Sequence, residues 1–266
     1  MKKLLVIALA LVLALGCTSA LAETVKLRVG ATPAPHAEIL EFVKPILAEQ
    51  GIELEIVEFT DYIIPNTAVE SGELDANYFQ HVLYLNDFNE QNGTHLVIVD
   101  KIHYEPFGIY AGTKSAIADL ADGDKIAIPN DGSNRARALL LLETQGLITL
   151  KEGVGMEATV LDIVDNPLNL EIVEMEAAQI ANVRDSVALA VINGNYALQA
   201  GLNAGTDALA KEDAASVSAQ TYANILVVKE GNENTEKTLA LKKALLSQEV
   251  KDYINNTYSG AVVPIF

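Results

Sequence analysis

Apolar and polar positions repeat along the chain with two different periods, and these periods predict a succession of strands and helices. Residues 25–32 (VKLRVGAT) place Leu27, Val29 and Ala31 on one face, which predicts a strand. Residues 36–51 repeat apolar positions at helical spacing and end at a glycine, which predicts a helix. Strands that alternate with helices are typical of α/β folds with largely parallel sheets.

The same periods continue to the end of the chain. They predict strands or extended segments over residues 53–59, 75–79, 95–112, 124–131, 187–195 and 223–230. They predict helices over residues 65–73, 82–93, 133–146, 195–202 and 235–258, the last being one long amphipathic helix. No repeat of about 20–50 residues is present. The pattern favours two α/β lobes, with the late strand and terminal helix returning to the first lobe.

The first residues have the pattern of a secretory signal. Two lysines precede an apolar run that is too short to span a membrane comfortably. Two processing sites are open. Residues 20–22 (ALA) fit ordinary cleavage after a signal segment of residues 1–22. Residues 15–17 (LGC) resemble the lipobox of bacterial lipoproteins, in which Cys17 is lipidated, although Ala14 stands where leucine is usual.

Charge and residue types exclude several classes of function. The chain has 36 acidic against 18 basic side chains, which argues against binding nucleic acid or anionic lipid by charge. Cys17 is the only cysteine, so the folded part has no disulfide. The four histidines lack metal-ligand spacing, and no nucleophile, zinc-protease or nucleotide motif appears. We expect no enzyme activity, no metal and no cofactor.

Two of the chain's few arginines begin a predicted helix. Residues 131–142 read DGSNRARALLLL, in which Asp131 is of a type that caps helices. A helix N-terminus favours an anion, and an arginine there is a bidentate donor suited to a carboxylate. Arg135 and Arg137 lie roughly 200° apart around a helix axis, so at most one faces a small site. The alternative is that both are surface residues paired with acids.

An aromatic cluster and a set of amides are further candidates for a binding site. Six rings occur within 26 residues, and they either wall a pocket or belong to an ordinary core: Phe59, Tyr62, Tyr78, Phe79, His81 and Tyr84. Asn193 and Asn195 end a predicted strand, where open α/β sheets bind ligands, although Asn-Gly is also a favoured turn. Asn224 precedes a strand in a similar way.

Several consecutive segments resemble the methionine-binding lipoproteins of ABC importers, the NlpA family. They cover nearly all of residues 23–266, in order: ATPAPHAEIL, EFTDYIIPN, GELDANYFQH, KIAIPNDGSNRARALLLL, DIVDNP, AVINGNYAL, YANILVV and SGAVVPIF. The resemblance implies a two-lobed periplasmic-binding-protein fold that encloses the ligand between lobes. It also implies delivery of methionine, or a close relative, to a membrane permease with a cytoplasmic ATPase.

The resemblance carries binding roles to individual residues. It implies that Arg137 holds the ligand carboxylate. It implies that the remaining binding residues are Tyr62, Phe79, His81 and Tyr84 around the ligand side chain, and Asn193 and Asn224 at its polar end. Two positions depart from the family: Arg135 stands where a small residue is usual, and Leu83 where proline is frequent. The first leaves Arg135 without an implied role.

The combined expectation is an exported α/β binding protein with two lobes, each a mostly parallel sheet flanked by helices. Lobe 1 comprises residues 23–108 and 225–266, and lobe 2 comprises residues 109–224. We expect a monomer at the outer face of the membrane or in the periplasm, anchored by lipid, including palmitate, on Cys17. The expected ligand is L-methionine. The alternatives are D-methionine, a methionine-containing dipeptide, or a surface lipoprotein that acts as a protein-interaction module.

Overall fold

A computed structural model describes residues 24–213 and 218–266. The predicted signal segment and Cys17 lie outside these residues. The strands, in chain order, are β1 (Val25–Ala31), β2 (Ile52–Glu58), β3 (Ala76–His81), β4 (Leu96–Tyr104), β5 (Gly108–Ala111), β6 (Lys125–Pro129), β7 (Thr149–Leu150), β8 (Ile163–Asp165), β9 (Glu171–Met175), β10 (Leu189–Ile192), β11 (Ala210–Lys211), β12 (Ala223–Lys229) and β13 (Val263–Pro264).

Two sheets contain most of these strands. The first sheet has the order β13-β4-β12-β3-β1-β2, and the second has the order β11-β5-β10-β6-β9. Strands β7 and β8 form a separate pair. The chain passes from the first sheet to the second between β4 and β5, and it returns between β11 and β12. Two connecting segments therefore join the sheets.

Helices cover the faces of both sheets. They are α1 (Glu38–Ala48), α2 (Ile64–Ser71), α3 (Val82–Asn92), α4 (Gly132–Thr144), α5 (Ala177–Val183), α6 (Gly194–Gln199), α7 (Ser218–Thr221), α8 (Glu236–Leu245) and α9 (Gln248–Tyr258). A short π-helical turn, Pro33–Ala37, follows β1. Single 3-10 turns occupy Ile117–Asp119, Gly155–Glu157, Val160–Asp162 and Arg184–Ser186. Within the described part of the chain, no helix is long and apolar enough to cross a membrane.

Strand β12 shows why a short continuous apolar run can form a strand. Leu226 and Val228 belong to the core that includes α1, α8 and α9. Ile225 and Val227 belong to the opposite core, which includes residues of α2 and α3. Because both faces of the sheet are covered, the successive side chains of residues 225–228 are all buried, and all four are apolar. In the second sheet, β10 is divided between two cores in the same way.

The α/β class is confirmed, and the sheets are more mixed than predicted. Strands β2, β1 and β3 are parallel, as are β10, β6 and β9. The remaining pairings within the two sheets, made by β12, β4, β13, β5 and β11, are antiparallel. The antiparallel strands lie where the chain crosses between the sheets, since a strand that returns from the other sheet does not need a helical crossover.

Three local predictions differ from the structure. The extended stretch 95–112 is two strands in different sheets, because Glu105-Pro106-Phe107 forms the connecting segment between β4 and β5. The terminal helix is two helices, since the Ser247 side chain accepts the N–H of Val250 and begins α9. Strand β9 and helix α5 lie in a region for which the pattern predicted no element.

We expect the terminal helices to stabilise the first sheet through one face only. Leu241 is fully buried, whereas Leu239, two residues away on α8, is 45% exposed. Leu241→Ala should lower the free energy of unfolding by about 2–5 kcal/mol, because it leaves a cavity in a packed core. Leu239→Ala should change it by less than about 0.5 kcal/mol. Chemical denaturation of both variants measures this, and equal losses would contradict the packing.

Candidate functional site

A cavity lies between the two sheets, at the ends of strands that point toward it. Strand β3 ends in this wall, β12 begins there, and the helices that follow β6 and β10 complete it. Its lining combines aromatic, amide and charged side chains: Tyr62, Phe79, Gln80, His81, Tyr84, Glu105, Asn134, Arg137, Asn193, Gly194, Asn195 and Asn224. All seven predicted binding residues are among them.

Arg137 is the buried cation of this site. It lies in α4, whose first turn is capped by the Asp131 side chain, and only 4% of its surface is exposed. The guanidinium carbon lies 4.1 Å from the ring centre of Tyr222 and 4.8 Å from that of Phe107. These flat contacts suit the planar, weakly hydrated guanidinium. The ring contacts therefore fix the plane of the Arg137 side chain.

Glu212 holds the other edge of that guanidinium. Arg137 donates from Nε to Oε1 at 2.8 Å and from Nη2 to Oε2 at 2.6 Å. Nη2 also donates to the Glu105 carbonyl at 2.9 Å. Glu212 precedes β12 and Glu105 follows β4, so Arg137 bonds to both connecting segments. Its remaining terminal nitrogen, Nη1, is used in none of these bonds.

Further donors keep Glu212 in the ionised form. The Tyr104 hydroxyl and the Phe107 N–H both donate to Oε2, at 2.6 and 3.1 Å. Burial by itself would raise the pKa of Glu212, but the Arg137 guanidinium and these donors outweigh it, and the pKa is lowered. Burial would likewise lower the pKa of Arg137, and the Glu212 charge raises it instead. The pair is a buried, doubly hydrogen-bonded ion pair.

Arg135 points away from the cavity, as the helical spacing predicts. Its Nη1 lies 3.5 Å from Oε1 of Glu174, and both side chains are partly exposed. The two arginines of the motif therefore have different surroundings, and only Arg137 lines the cavity. Arg135 is paired with an acidic neighbour at the surface.

A chain of hydrogen bonds determines which atoms of the amides face the cavity. Asn134 donates from Nδ2 to the Asp131 carboxylate at 2.9 Å, so its Oδ1 is left as an acceptor. His81 Nε2 and Asn193 Nδ2 both approach this Oδ1, at 3.1 and 2.8 Å. His81 Nδ1 accepts the Tyr84 N–H, which places the ring proton on Nε2. Asn193 is thereby left with its carbonyl oxygen unused.

Two buried amide atoms in the cavity wall have no hydrogen-bond partner within the described residues. They are the acceptor Asn193 Oδ1 and the donor Asn195 Nδ2. Asn195 uses its own Oδ1 to accept the Tyr62 hydroxyl at 2.5 Å, so its amide group is oriented as well. Buried polar atoms without a partner are costly and uncommon. A ligand that offers one donor and one acceptor would satisfy both.

The aromatic side of the cavity is centred on Tyr62. Ring centres of Tyr196, Tyr84 and Phe79 lie 4.9, 5.5 and 5.8 Å from it. The Tyr84 hydroxyl donates to the Tyr62 carbonyl at 3.0 Å, and the Tyr196 hydroxyl donates to the Thr60 carbonyl at 3.2 Å. The hydroxyls of Tyr84 and Tyr196 are thus engaged by backbone carbonyls, so the cluster presents apolar surface and ring edges to the cavity.

Sequence reasoning missed the two glutamates of the site. Glu105 is 5% exposed and lines the cavity, and burial raises the pKa of its carboxyl group. Glu212 was also unassigned. Each is one acid among many in an acidic chain, and its partners are distant in sequence. The only sequence pattern that could have indicated either residue is at Glu105, which is an acid within a largely apolar extended stretch.

Two α/β sheets joined by two connecting segments, with a polar and aromatic cavity between them, define the class of solute-binding proteins. The chain belongs to the NlpA lipoprotein family, whose model matches residues 27–266.

Three relatives illustrate the similarity. A lipoprotein of Ruminococcus gnavus is 58% identical, with a TM-score of 0.90 over 91% of this chain and 99% of that chain. A nutrient-binding protein of Burkholderia cenocepacia, whose structure contains methionine, is 41% identical, with a TM-score of 0.86 over 90% of this chain and 100% of that chain. The D-methionine-binding lipoprotein MetQ of Escherichia coli is 38% identical over 93% of this chain and 91% of the relative.

We expect the three buried histidines to remain neutral at physiological pH. Burial lowers the pKa of His36 to about 4, and the pKa values of His81 and His103 to about 3. Their imidazole signals in NMR spectra should therefore not titrate between roughly pH 5 and pH 8. A midpoint near the ordinary histidine value for any of the three, assigned with single His→Gln variants, would contradict the buried arrangement.

Proposed function

We propose that the protein is the substrate-binding component of an ABC importer and that it binds methionine between its two sheets. The observation that carries this proposal is the pairing of unsatisfied polar atoms with an aromatic wall in one cavity. Asn193 Oδ1 and Asn195 Nδ2 await a donor and an acceptor, as an amino-acid zwitterion provides. The names and bound ligand of the relatives support the same class of substrate.

The carboxylate end of the ligand would lie at Arg137. Because Nε and Nη2 already donate to Glu212 and to the Glu105 carbonyl, Nη1, which takes part in none of these bonds, is the nitrogen that would donate to the ligand. Asn195 Nδ2 and Asn224 Nδ2 are further donors, since the oxygens of both amides accept bonds from protein groups. A charge-assisted bond of this kind contributes about 1.5–3 kcal/mol.

The ammonium group would lie against acceptors. Asn193 Oδ1 has no partner within the described residues, and the Glu105 carboxylate lines the same cavity. A buried ammonium is stable only where acceptors of this kind surround it. The site therefore favours a zwitterion over an uncharged ligand.

The thioether would lie against Tyr62, Phe79, His81 and Tyr84. Sulfur near an aromatic edge contributes about 0.3–1.5 kcal/mol per contact.

The cellular role follows from this binding role. We propose that the two sheets are the lobes of a hinged pair, with boundaries near residues 108 and 225, that close around the ligand. The protein would act as an exported monomer, anchored through Cys17, and would pass methionine to a permease with a cytoplasmic ATPase. It would not be an enzyme, since the site binds and releases its ligand unchanged.

The two arginines of α4 give a matched test of the carboxylate site. Arg137→Ala should abolish high-affinity methionine binding in calorimetry, whereas Arg135→Ala should leave the affinity within a few-fold.

Arg137→Ala also leaves Glu212 buried without its partner, at a cost of about 3–5 kcal/mol in stability. Arg137→Lys keeps the positive charge but lacks the planar guanidinium that donates two parallel hydrogen bonds. This variant should fold and still lose more than about tenfold in affinity for methionine. Equal losses at the two positions would overturn the assignment.

A ligand panel tests the substrate class. We expect L-methionine to raise the melting temperature of ligand-free protein strongly, with D-methionine and methionine-containing dipeptides as comparison ligands, because ligands that bind only the folded state stabilise it. Leucine and norleucine, which lack sulfur, measure the contribution of the thioether. The absence of a shift for every amino acid and dipeptide would instead favour a protein-interaction role.

A further inference from the structure

Behind Glu105, away from the cavity, lies a buried network that the binding site itself does not explain. His103 Nε2 lies 2.7 Å from the carboxylate oxygen Oε1, and His36 Nε2 lies 3.4 Å from the same oxygen. Tyr78 and Thr32 engage the opposite nitrogens of the two rings. Both histidines are fully buried. The network connects the ends of several first-sheet elements to one oxygen atom.

Counting protons fixes the direction of each bond. The hydroxyls of Tyr78 and Thr32 donate to Nδ1 of His103 and His36, because the Nε2 atoms must carry the ring protons to reach Glu105 and the Asn224 oxygen. All four ring nitrogens are then used in neutral imidazoles. His103 then donates its Nε2 proton to Glu105, whereas His36 donates to the Asn224 oxygen and keeps its Nε2–H group 3.4 Å from the same Glu105 oxygen.

Glu105 is held from the second sheet as well. The backbone N–H of Asn195 lies near its carboxylate and lowers the pKa of that group. A Cβ atom at Gly194 would lie only 2.6 Å from the Glu105 Cβ and 2.7 Å from Oε2, so the absence of a side chain there lets the two sheets approach. The carboxylate therefore has donors on one side, backbone on the other, and the cavity in front.

Two simpler explanations account for less of this arrangement. Two histidines and a carboxylate are donors that zinc also uses, but here every ring nitrogen already has a hydrogen-bond partner. If the network were only a structural polar core, the hydrogen bonds to the Tyr78 and Thr32 hydroxyls and to Asn224 would be enough to satisfy its buried polar atoms. It would not require His103 to donate to the buried acid that lines the cavity, nor His36 to place its Nε2–H group 3.4 Å from the same oxygen.

We propose that His103 and His36 are positioning residues, which hold the Glu105 carboxylate ionised and in place to receive the ammonium group of the ligand. They would thereby make the site selective for amino acids over acids that lack the amine. This inference rests on the proposed methionine-binding function. Neither histidine needs to touch the ligand, since both act through Glu105.

The pH dependence of binding follows from the groups around Glu105. The titratable or charged groups that face it, directly or through the network, are His36, Tyr62, Tyr78, His103, Tyr110 and Arg137. Burial raises the pKa of Glu105 above its ordinary 4.5. The affinity for methionine should fall as the pH drops through this raised pKa, because the carboxylate that receives the ammonium group becomes protonated. Loss of the His103 N–H donor should raise the pKa of Glu105 further, so the loss of affinity should begin at higher pH.

A matched pair of variants tests the positioning role. His103→Gln can present an amide N–H near the Nε2 position, whereas His103→Asn is too short and keeps only the contact with Tyr78. Calorimetry compares methionine with 4-(methylthio)butanoate, which has the same carboxylate and thioether but no amine. His103→Asn should weaken methionine by about tenfold or more and the amine-free acid by less than about threefold. His103→Gln should recover most of the loss.

A double-mutant cycle provides an independent measurement. Glu105→Gln should itself reduce methionine affinity, and adding His103→Asn to it should cost little more, because the two residues act as one unit. His95→Gln is the control, since the side chain of His95 is 69% exposed and does not line the cavity. Melting temperatures without ligand show whether each variant is folded.

The outcomes separate this inference from the proposed function. Absence of methionine binding by the unaltered protein would reject the proposed function without involving the histidines. Equal losses for methionine and the amine-free acid, additive losses in the cycle, or an unchanged pH profile in His103→Asn would each overturn the positioning role. Stoichiometric zinc binding that His103→Asn abolishes would overturn it in favour of a metal site.

Discussion

The structure depends on the buried ion pair between Arg137 and Glu212. A guanidinium inside a protein is tolerated only when a partner and further hydrogen bonds compensate for the lost water. Here the partner comes from the second connecting segment, and the carbonyl of Glu105 comes from the first. One side chain of α4 thus bonds to both segments that join the sheets. The cavity and the two connecting segments share this residue, so a ligand that engaged Nη1 would act at the place where the sheets are connected.

Around this pair, hydrogen bonds to neighbouring side chains orient the amide groups of the site. The amide atom that the neighbour does not use then faces the cavity. Asp131 orients Asn134, which orients Asn193 with its oxygen free. Tyr62 orients Asn195 with its nitrogen free, and His36 orients Asn224 likewise. Rotation of any of these amides would break the hydrogen bond that orients it. The cavity is therefore preorganised for a ligand that has both a donor and an acceptor, which reduces the entropy lost on binding.

Some of the site could be predicted because its information is local. The helix that carries Arg137 begins where Asp131 can cap it, and the spacing of Arg135 and Arg137 separates their directions. The aromatic positions were also expected together, because they occur within one short stretch. Glu212 could not be predicted: it is 75 residues from Arg137, and no local pattern distinguishes it from the chain's many other acids. The division of residues 235–258 into two helices was missed because one serine cap overrides a continuous amphipathic pattern.

The sequence by itself determined the class of structure and the residue types that line the cavity, because periodicity, caps and apolar runs act over a few neighbouring residues. The tertiary structure alone decided what surrounds each charge. Only the packing of β4, β12 and α4 brings Glu105 and Glu212 to Arg137, and only the ends of β3 and β4 place Tyr78 and His103 behind Glu105. The physical reason is that the energy of a buried charge depends on its partners and its exclusion from water, and both are properties of the assembled sheets rather than of any short segment.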